Sequence, residues 1–415
     1  MKQWIKIGLR HNLIYLLMLI LFNFLRKVDL IVLDKIFEFN TSMIFIILMF
    51  FGEFLAGLII YRYQISFSPN KKKNIENATT GVKLISGRSE ISPRDSKFKI
   101  YLLIFVASSF DFIEYLVSTY YIPQIKYISK TLEIRLSSFL TLSAAIFFIY
   151  LLKLHIYKHH IFSLLIILAC LIIIGISEYF FQHFDNKRTE TDFFQALFSV
   201  LGVHFFNSLL DSIEKYLLEY DFVNPFKTLM LEGIFGTILS IIYLFIISNN
   251  PFEQIEDFNK NENIIKFIFL IICLCLYLLL SGGRNAYRVE TNKVYSPMAK
   301  TLTDYILNPL FIIYYFIFED DFIGGKQNKK DIFYFVLNLI LSIVIVFCGC
   351  IYNELLVLFC YNLEHDTHRQ VSIRAETLES IEFDEKIEDF ENNEDDSSEE
   401  DNEEENEKKD NPNET

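Results

Sequence analysis

Residues 101–121 read YLLIFVASSFDFIEYLVSTYY, an apolar run with Asp111 and Glu114 set in its middle. A bilayer core about 30 Å thick is crossed by about 20 helical residues, so this run has the length of one membrane span. An ionised carboxylate at mid-span costs roughly 2.5–3.5 kcal/mol even on lenient insertion scales, so such a side chain faces a protein-lined interior and not lipid. Asp111 and Glu114 are three residues apart and share one helical face. The run therefore predicts a membrane helix with one polar side.

The same construction recurs along the chain. Glu53, Asp211, Glu232 and Asp304 each lie inside another long apolar run. Ten runs can be marked, at 11–33, 41–62, 99–121, 132–152, 161–180, 192–218, 227–248, 264–284, 299–318 and 332–358. An apolar fraction of 52% with 16% aromatic residues exceeds what a soluble domain needs. The first run follows Lys2, Lys6 and Arg10 as a secretory signal would. Asn23, Phe24, Arg26 and Lys27 stand where a small-residue cleavage site belongs, so it reads as a retained span. The expected fold is an all-α membrane protein with ten transmembrane helices.

The net charge of −14 belongs to one end of the chain. Residues 361–415 carry 22 acidic against 5 basic residues, whereas the rest carries 30 against 33. Residues 376–415 are dense in Glu, Asp and Asn and cannot bury enough surface to offset their chain entropy, so this acidic C-terminal tail is expected to be disordered. With the N-terminus inside, the inner loops hold 20 basic residues and the outer loops 13, which favours both termini in the cytosol. The cytosolic loop 63–98, with Lys71, Lys72 and Lys73, reads as a solvated determinant of that topology. The cysteines Cys170, Cys273, Cys275, Cys348, Cys350 and Cys360 lie in or at the edges of apolar runs, so neither a disulfide framework nor a zinc site is expected.

Ten spans with both termini on one side allow a duplication of five plus five, here 1–190 and 191–360, followed by the tail 361–415. Five is odd, so the second copy must run inverted, which is a recurring construction of alternating-access carriers. The stretch 107–178, with an acid in span three, an Arg opening span four and a short Lys/His-bearing turn before span five, resembles the drug/metabolite transporter superfamily. EKYLLEYDFVNPFKTLMLEGIFG at 214–236, Asp304 after its Thr-rich approach, and YNE at 352–354 resemble the F subfamily of solute carrier family 35. The resemblance covers about 100–360 and implies a nucleotide-sugar-transporter-like carrier of two inverted five-helix repeats.

The polar residues assign themselves to places in such a carrier. Asp111 and Glu114 on span three, with Asn207, Asp211 and Glu214 stepping along span six, would line a central cavity. Arg135, near one end of span four, either pairs with Glu114 or meets the substrate. Lys215 can pair with Glu219 by helical spacing. Glu232 precedes Gly233 and Gly236, whose small side chains permit close helix approach. Asp304, with Asn308 one turn on and Pro309 after it, marks a kinked polar span. Glu53 has no evident partner. Substrate or ion binding is thus expected at Asp111, Glu114, Arg135, Asn207, Asp211, Asp304 and Asn308. Acids outnumber bases within the marked spans, which favours a cationic solute or proton coupling over an anionic nucleotide sugar.

The chain has no His-Glu-x-x-His, no Gly-x-Ser-x-Gly and no Gly-x-Gly-Asp, so no enzyme, catalytic residue or cofactor is expected. The histidines His155, His159 and His160 read as an interfacial turn and not as a metal site. The expected function is alternating-access movement of a small polar metabolite across an endomembrane of Golgi, ER or lysosome-like vacuole type. The alternative is a non-transporting receptor or scaffold that recruits partners through the acidic tail. Expected partners are a small-molecule substrate and the lipid bilayer, with a coupled proton and a homodimer left open, and no nucleic acid.

Overall fold

The computed structural model describes residues 5–7, 13–37, 42–67, 96–122, 130–152, 156–183, 190–247, 264–294, 297–318 and 329–358. Most of the basic loop 63–98, all of the tail beyond residue 358, His155 and Cys360 lie outside these residues. The helices are α1 (Leu13–Phe37), α2 (Ser42–Phe67), α3 (Lys97–Leu116), α4 (Lys130–Leu136), α5 (Phe139–Leu151) and α6 (Lys158–His183). They continue as α7 (Glu190–Glu219), α8 (Pro225–Ile247), α9 (Ile264–Val294), α10 (Pro297–Phe318) and α11 (Lys329–Tyr352). Two short strands, β1 (Ile5–Ile7) and β2 (Leu356–Leu358), pair with each other. The chain divides into two compact units. The larger is Ile7–Ile156 with His160–Leu356; the described part of the smaller is Ile5, Lys6, Tyr157–His159, Val357 and Leu358. Within the smaller unit the Tyr157 and His159 rings stack, with centroids 6.0 Å apart.

Among the described residues, eight stretches are long and apolar enough to cross a membrane: 43–66, 97–119, 132–151, 158–180, 193–219, 225–246, 264–293 and 332–352. The chain is a multi-pass membrane protein. The two remaining long helices, α1 and α10, match the expected first and ninth runs but are interrupted by charge, at Arg26, Lys27, Asp29 and Asp34 in one and Lys300 and Asp304 in the other. The burial pattern inverts that of a soluble protein. On α6, Ile161, Phe162, Leu165, Leu168, Ile172 and Phe180 face outward, while Glu53, Asp111, Asp211, Glu214, Glu232 and Arg288 are at most 1% exposed. Burial in such a protein is set by where charge can be satisfied, because outward apolar groups cost nothing against hydrocarbon.

Local chemistry sets the helix ends. Ser96 caps α3 by accepting the Lys99 N–H, and Asn224 caps α8 by accepting the N–H groups of Phe226 and Lys227 at 3.0 and 3.3 Å. Pro225 occupies the first position of α8, where its missing N–H is no loss. The end of α3 widens into one π turn over Val117–Tyr121, in which Thr119 bonds back to the Tyr115 carbonyl at 2.5 Å.

Helix α2 sits between α8 and α9, with α3 packed across α7 and α8. Gly52 makes that placement feasible: a Cβ there would strike the Leu278 carbonyl, and one at Gly282 would lie 2.5 Å from the Gly52 oxygen. Gly233 is likewise pressed on the backbone of Phe50 and Phe54, the close approach expected from the LEGIFG stretch.

Candidate functional site

The close α2, α8 and α9 contacts put charged side chains of several helices in one place. At its centre is Arg288 of α9, whose Nη2 donates to Glu214 Oε1 at 2.6 Å and lies 3.5 Å from Glu232 Oε2, while Nη1 is 3.9 Å from Asp111 Oδ2. Three acids from α3, α7 and α8 thus converge on one guanidinium. Asn292, one turn along α9, donates to Glu214 Oε2 at 2.6 Å and to Asp211 Oδ1 at 3.5 Å. The arrangement is fully buried and bonded to charge at its core, so removing one partner leaves an uncompensated ion and costs about 3–5 kcal/mol.

Two further links extend the cluster. Lys300 of α10 donates to both Asp211 oxygens at 2.9 Å and to Asn207 Oδ1 at 2.8 Å. Asn285 bonds Glu53 through its amide and accepts from Arg284 Nη1 at 2.8 Å; the same Arg284 nitrogen donates to the Tyr115 hydroxyl at 2.9 Å. The polar seam therefore crosses α2, α3, α7, α8, α9 and α10, and the cations at its centre, Arg284, Arg288 and Lys300, come from α9 and α10.

Of the expected binding residues, Asp111, Asn207 and Asp211 lie in this seam. Glu114 is half-buried and makes no hydrogen bond or ion pair among the described residues. Of the two readings of Arg135, the pairing with Glu114 is not the one observed: Arg135 bonds Glu178 of α6 at 2.6 Å and the Tyr334 hydroxyl of α11. Glu178 supplies a buried, charge-assisted hydrogen bond to the guanidinium. Asp304 accepts from Asn23 of α1 at 2.7 Å. Asn308 donates to the Ile134 carbonyl at 3.0 Å and to Ser137 Oγ at 2.8 Å, so it braces the break between α4 and α5. Lys215 pairs with Glu219 at 2.6 Å as its spacing implies, and also holds the Asn292 carbonyl at 2.9 Å. Glu53, without an evident partner in the sequence, has Asn285.

Arg284, Asn285, Arg288, Asn292 and Lys300 are not among the expected site residues. Hydropathy ends the eighth run at 284, which leaves Arg288 and Asn292 in a loop and Lys300 at the edge of the ninth run; α9 instead continues to Val294. The signal is present in SGGRNAYRVETN at 281–292, where Ser281, Asn285, Arg288 and Asn292 recur on one helical face. A hydropathy reading stops at the first charges, whereas periodicity carries the helix through them. The longer helix places cations among the acids, so the interior is a paired network more than a bare acidic one.

No family model matches this chain, and no curated protein sequence matches it.

Proposed function

We propose that this protein is a carrier that moves a small polar solute across a membrane by alternating access. One observation carries the reading: buried charged and amide side chains contributed by six helices lie inside a bundle whose outer surface is apolar. Holding this many ions out of water is costly in a protein that only needs to be stable, since packed apolar residues are often as good or better. A seam that must meet a polar solute gives the cost a use.

The packing supports an inverted five-plus-five construction of ten spans, counting α1 and α10 as spans and α4 with α5 as one. Exchanging each span with its counterpart five places on turns one set of neighbours into the other. The α2–α8 contact maps onto itself, α1–α9 onto α3–α7, α2–α9 onto α3–α8, and α1–α10 onto α5–α7. The α10–α11 packing has no packing of matching extent of α4 or α5 on α6 among the described residues, where the Arg135–Glu178 pair joins α4 to α6. Two halves with interchangeable contacts can exchange conformations and so open the seam first to one side, then to the other. In this reading the halves are 1–190 and 191–360, both termini are cytosolic, the membrane is an endomembrane, and the chain is a drug/metabolite transporter of the solute carrier 35 F type.

The test is transport by the purified full chain in liposomes, measured as uptake and counterflow of labelled nucleotide sugars, nucleotides, amines and organic cations. Saturable movement of one class over empty liposomes supports the carrier reading. Binding without movement for every class would overturn it in favour of a receptor.

A further inference from the structure

The Arg288 cluster holds more carboxyl groups than its cations neutralise. Glu53, Asp111, Glu214 and Glu232 come from α2, α3, α7 and α8 and are each 1% exposed or less. Arg288 is committed to Glu214 at 2.6 Å. Arg284 reaches Glu53 through Asn285. Lys300 is taken by both oxygens of Asp211. Asp111 and Glu232 remain, at 3.9 and 3.5 Å from the shared guanidinium, and none of their four oxygens accepts a hydrogen bond among the described residues.

A second observation is of another kind. The Asn292 carboxamide oxygen is fully buried and has no donor among the described residues, although its nitrogen is bonded to Glu214 in the cluster. Buried acceptors are rarely left without donors; these five oxygens and Glu53 Oε2 outnumber the Arg288 Nε–H, the buried donor of that guanidinium left without a partner among the described residues, so donors are missing here. A carboxylic acid supplies one, because protonation turns an acceptor-only group into an O–H. It also removes the charge that burial penalises.

We infer that Asp111 and Glu232 each hold a proton in this conformation, and that together they form the proton-binding site through which the carrier is driven. The coupling part rests on the carrier reading above; the proton occupancy does not. A metal ion fits poorly, because hard cations take about six oxygen ligands and the guanidinium already stands among these carboxyls. The charged groups facing Asp111 and Glu232 are Glu53 from α2, Glu114 along α3, and Asp211 and Glu214 from α7. Arg284 and Arg288 face them from α9, and Lys300 from α10. Each binding step forms one O–H bond from a carboxylate oxygen and a proton from water, and release reverses it. Loss of these protons leaves two new carboxylates competing with Glu214 for Arg288. The guanidinium then moves between α7 and α3 or α8, which ties proton release to relative movement of the helices.

Infrared spectroscopy of the purified full chain in detergent at neutral pH tests the occupancy, reading the carbonyl stretch of protonated carboxyls and its shift in heavy water. The wild type should show the band, Asp111→Asn and Glu232→Gln should each lose part of it, and Glu214→Gln should not. Absence of the band, or its loss on adding sodium or calcium chloride at constant pH, would overturn the proton site. The coupling is read in liposomes: an inward proton gradient should accelerate uptake by the wild type and not by Glu232→Gln. Equal acceleration in both would overturn coupling. A wild type that shows the band but moves no probe at all would overturn the carrier reading and leave the proton site standing.

Discussion

Arg288 and Glu214 face each other from α9 and α7 at 2.6 Å, with at most 1% of either side chain exposed. The pair fixes the depth at which two helices meet, and Asn292 locks it from the other Glu214 oxygen at 2.6 Å. Both Glu214 oxygens accept hydrogen bonds, and acids without hydrogen bonds among the described residues, Asp111 and Glu232, stand beside the same guanidinium.

Removing one member of that pair should therefore be far worse than removing an outlying acid. Arg288→Ala is expected to cost about 3–5 kcal/mol, because Glu214 is left charged and dry. Asp111→Asn keeps the shape of a protonated carboxyl and strands no hydrogen-bonded partner among the described residues, so its thermal midpoint in detergent should match that of the wild type. Thermal unfolding of the two variants side by side checks this; equal loss in both would contradict the pairing.

The helix crossing at Gly52 should tolerate no side chain. Gly52→Val brings a Cβ against the Leu278 carbonyl, which is backbone and cannot swing away. Overpacking of this kind costs about 1–3 kcal/mol or more. At Gly175 the position a methyl group would take has nothing within 4 Å. Gly175→Ala should therefore be neutral or stabilising by up to about 1 kcal/mol through helix propensity. Size-exclusion profiles and unfolding midpoints should separate the two glycines clearly.

The Arg135, Glu178 and Tyr334 cluster ties α4, α6 and α11 together as a brace. Tyr334→Phe removes one hydroxyl from a charge-assisted network and should cost about 1–3 kcal/mol. Its uptake rate, normalised to folded protein, should stay close to that of the wild type. A selective loss of transport with unchanged stability would move Arg135 from the brace to the solute path.

Much of the fold is legible in the sequence, for a physical reason. Length and apolarity mark a span because the bilayer imposes both, so the expected runs coincide with helical segments from α1 to α11. Asp111, Asn207 and Asp211 are legible because a polar group inside an apolar run must face inward. Arg288 and Lys300 are not, because cations at the edge of a span also mark cytosolic loops, and Asn292 becomes legible only once the helical period is carried past Arg288. Arg135 cannot be paired from sequence, since Glu178 lies 43 residues away and helix depth decides the match.

The pair of Asp211 and Lys300 offers the most direct test that the seam is a path and not a brace. Replacing both by apolar residues, Asp211→Leu with Lys300→Met, removes the charges together and should leave stability within about 1–2 kcal/mol of the wild type, since paired buried ions are often replaceable. Counterflow by this double variant in liposomes, alongside the wild type and for whichever solute the wild type moves, is the deciding measurement. If the seam is the solute path, the double variant is a folded, monodisperse protein with transport abolished; transport at the wild-type rate would contradict this.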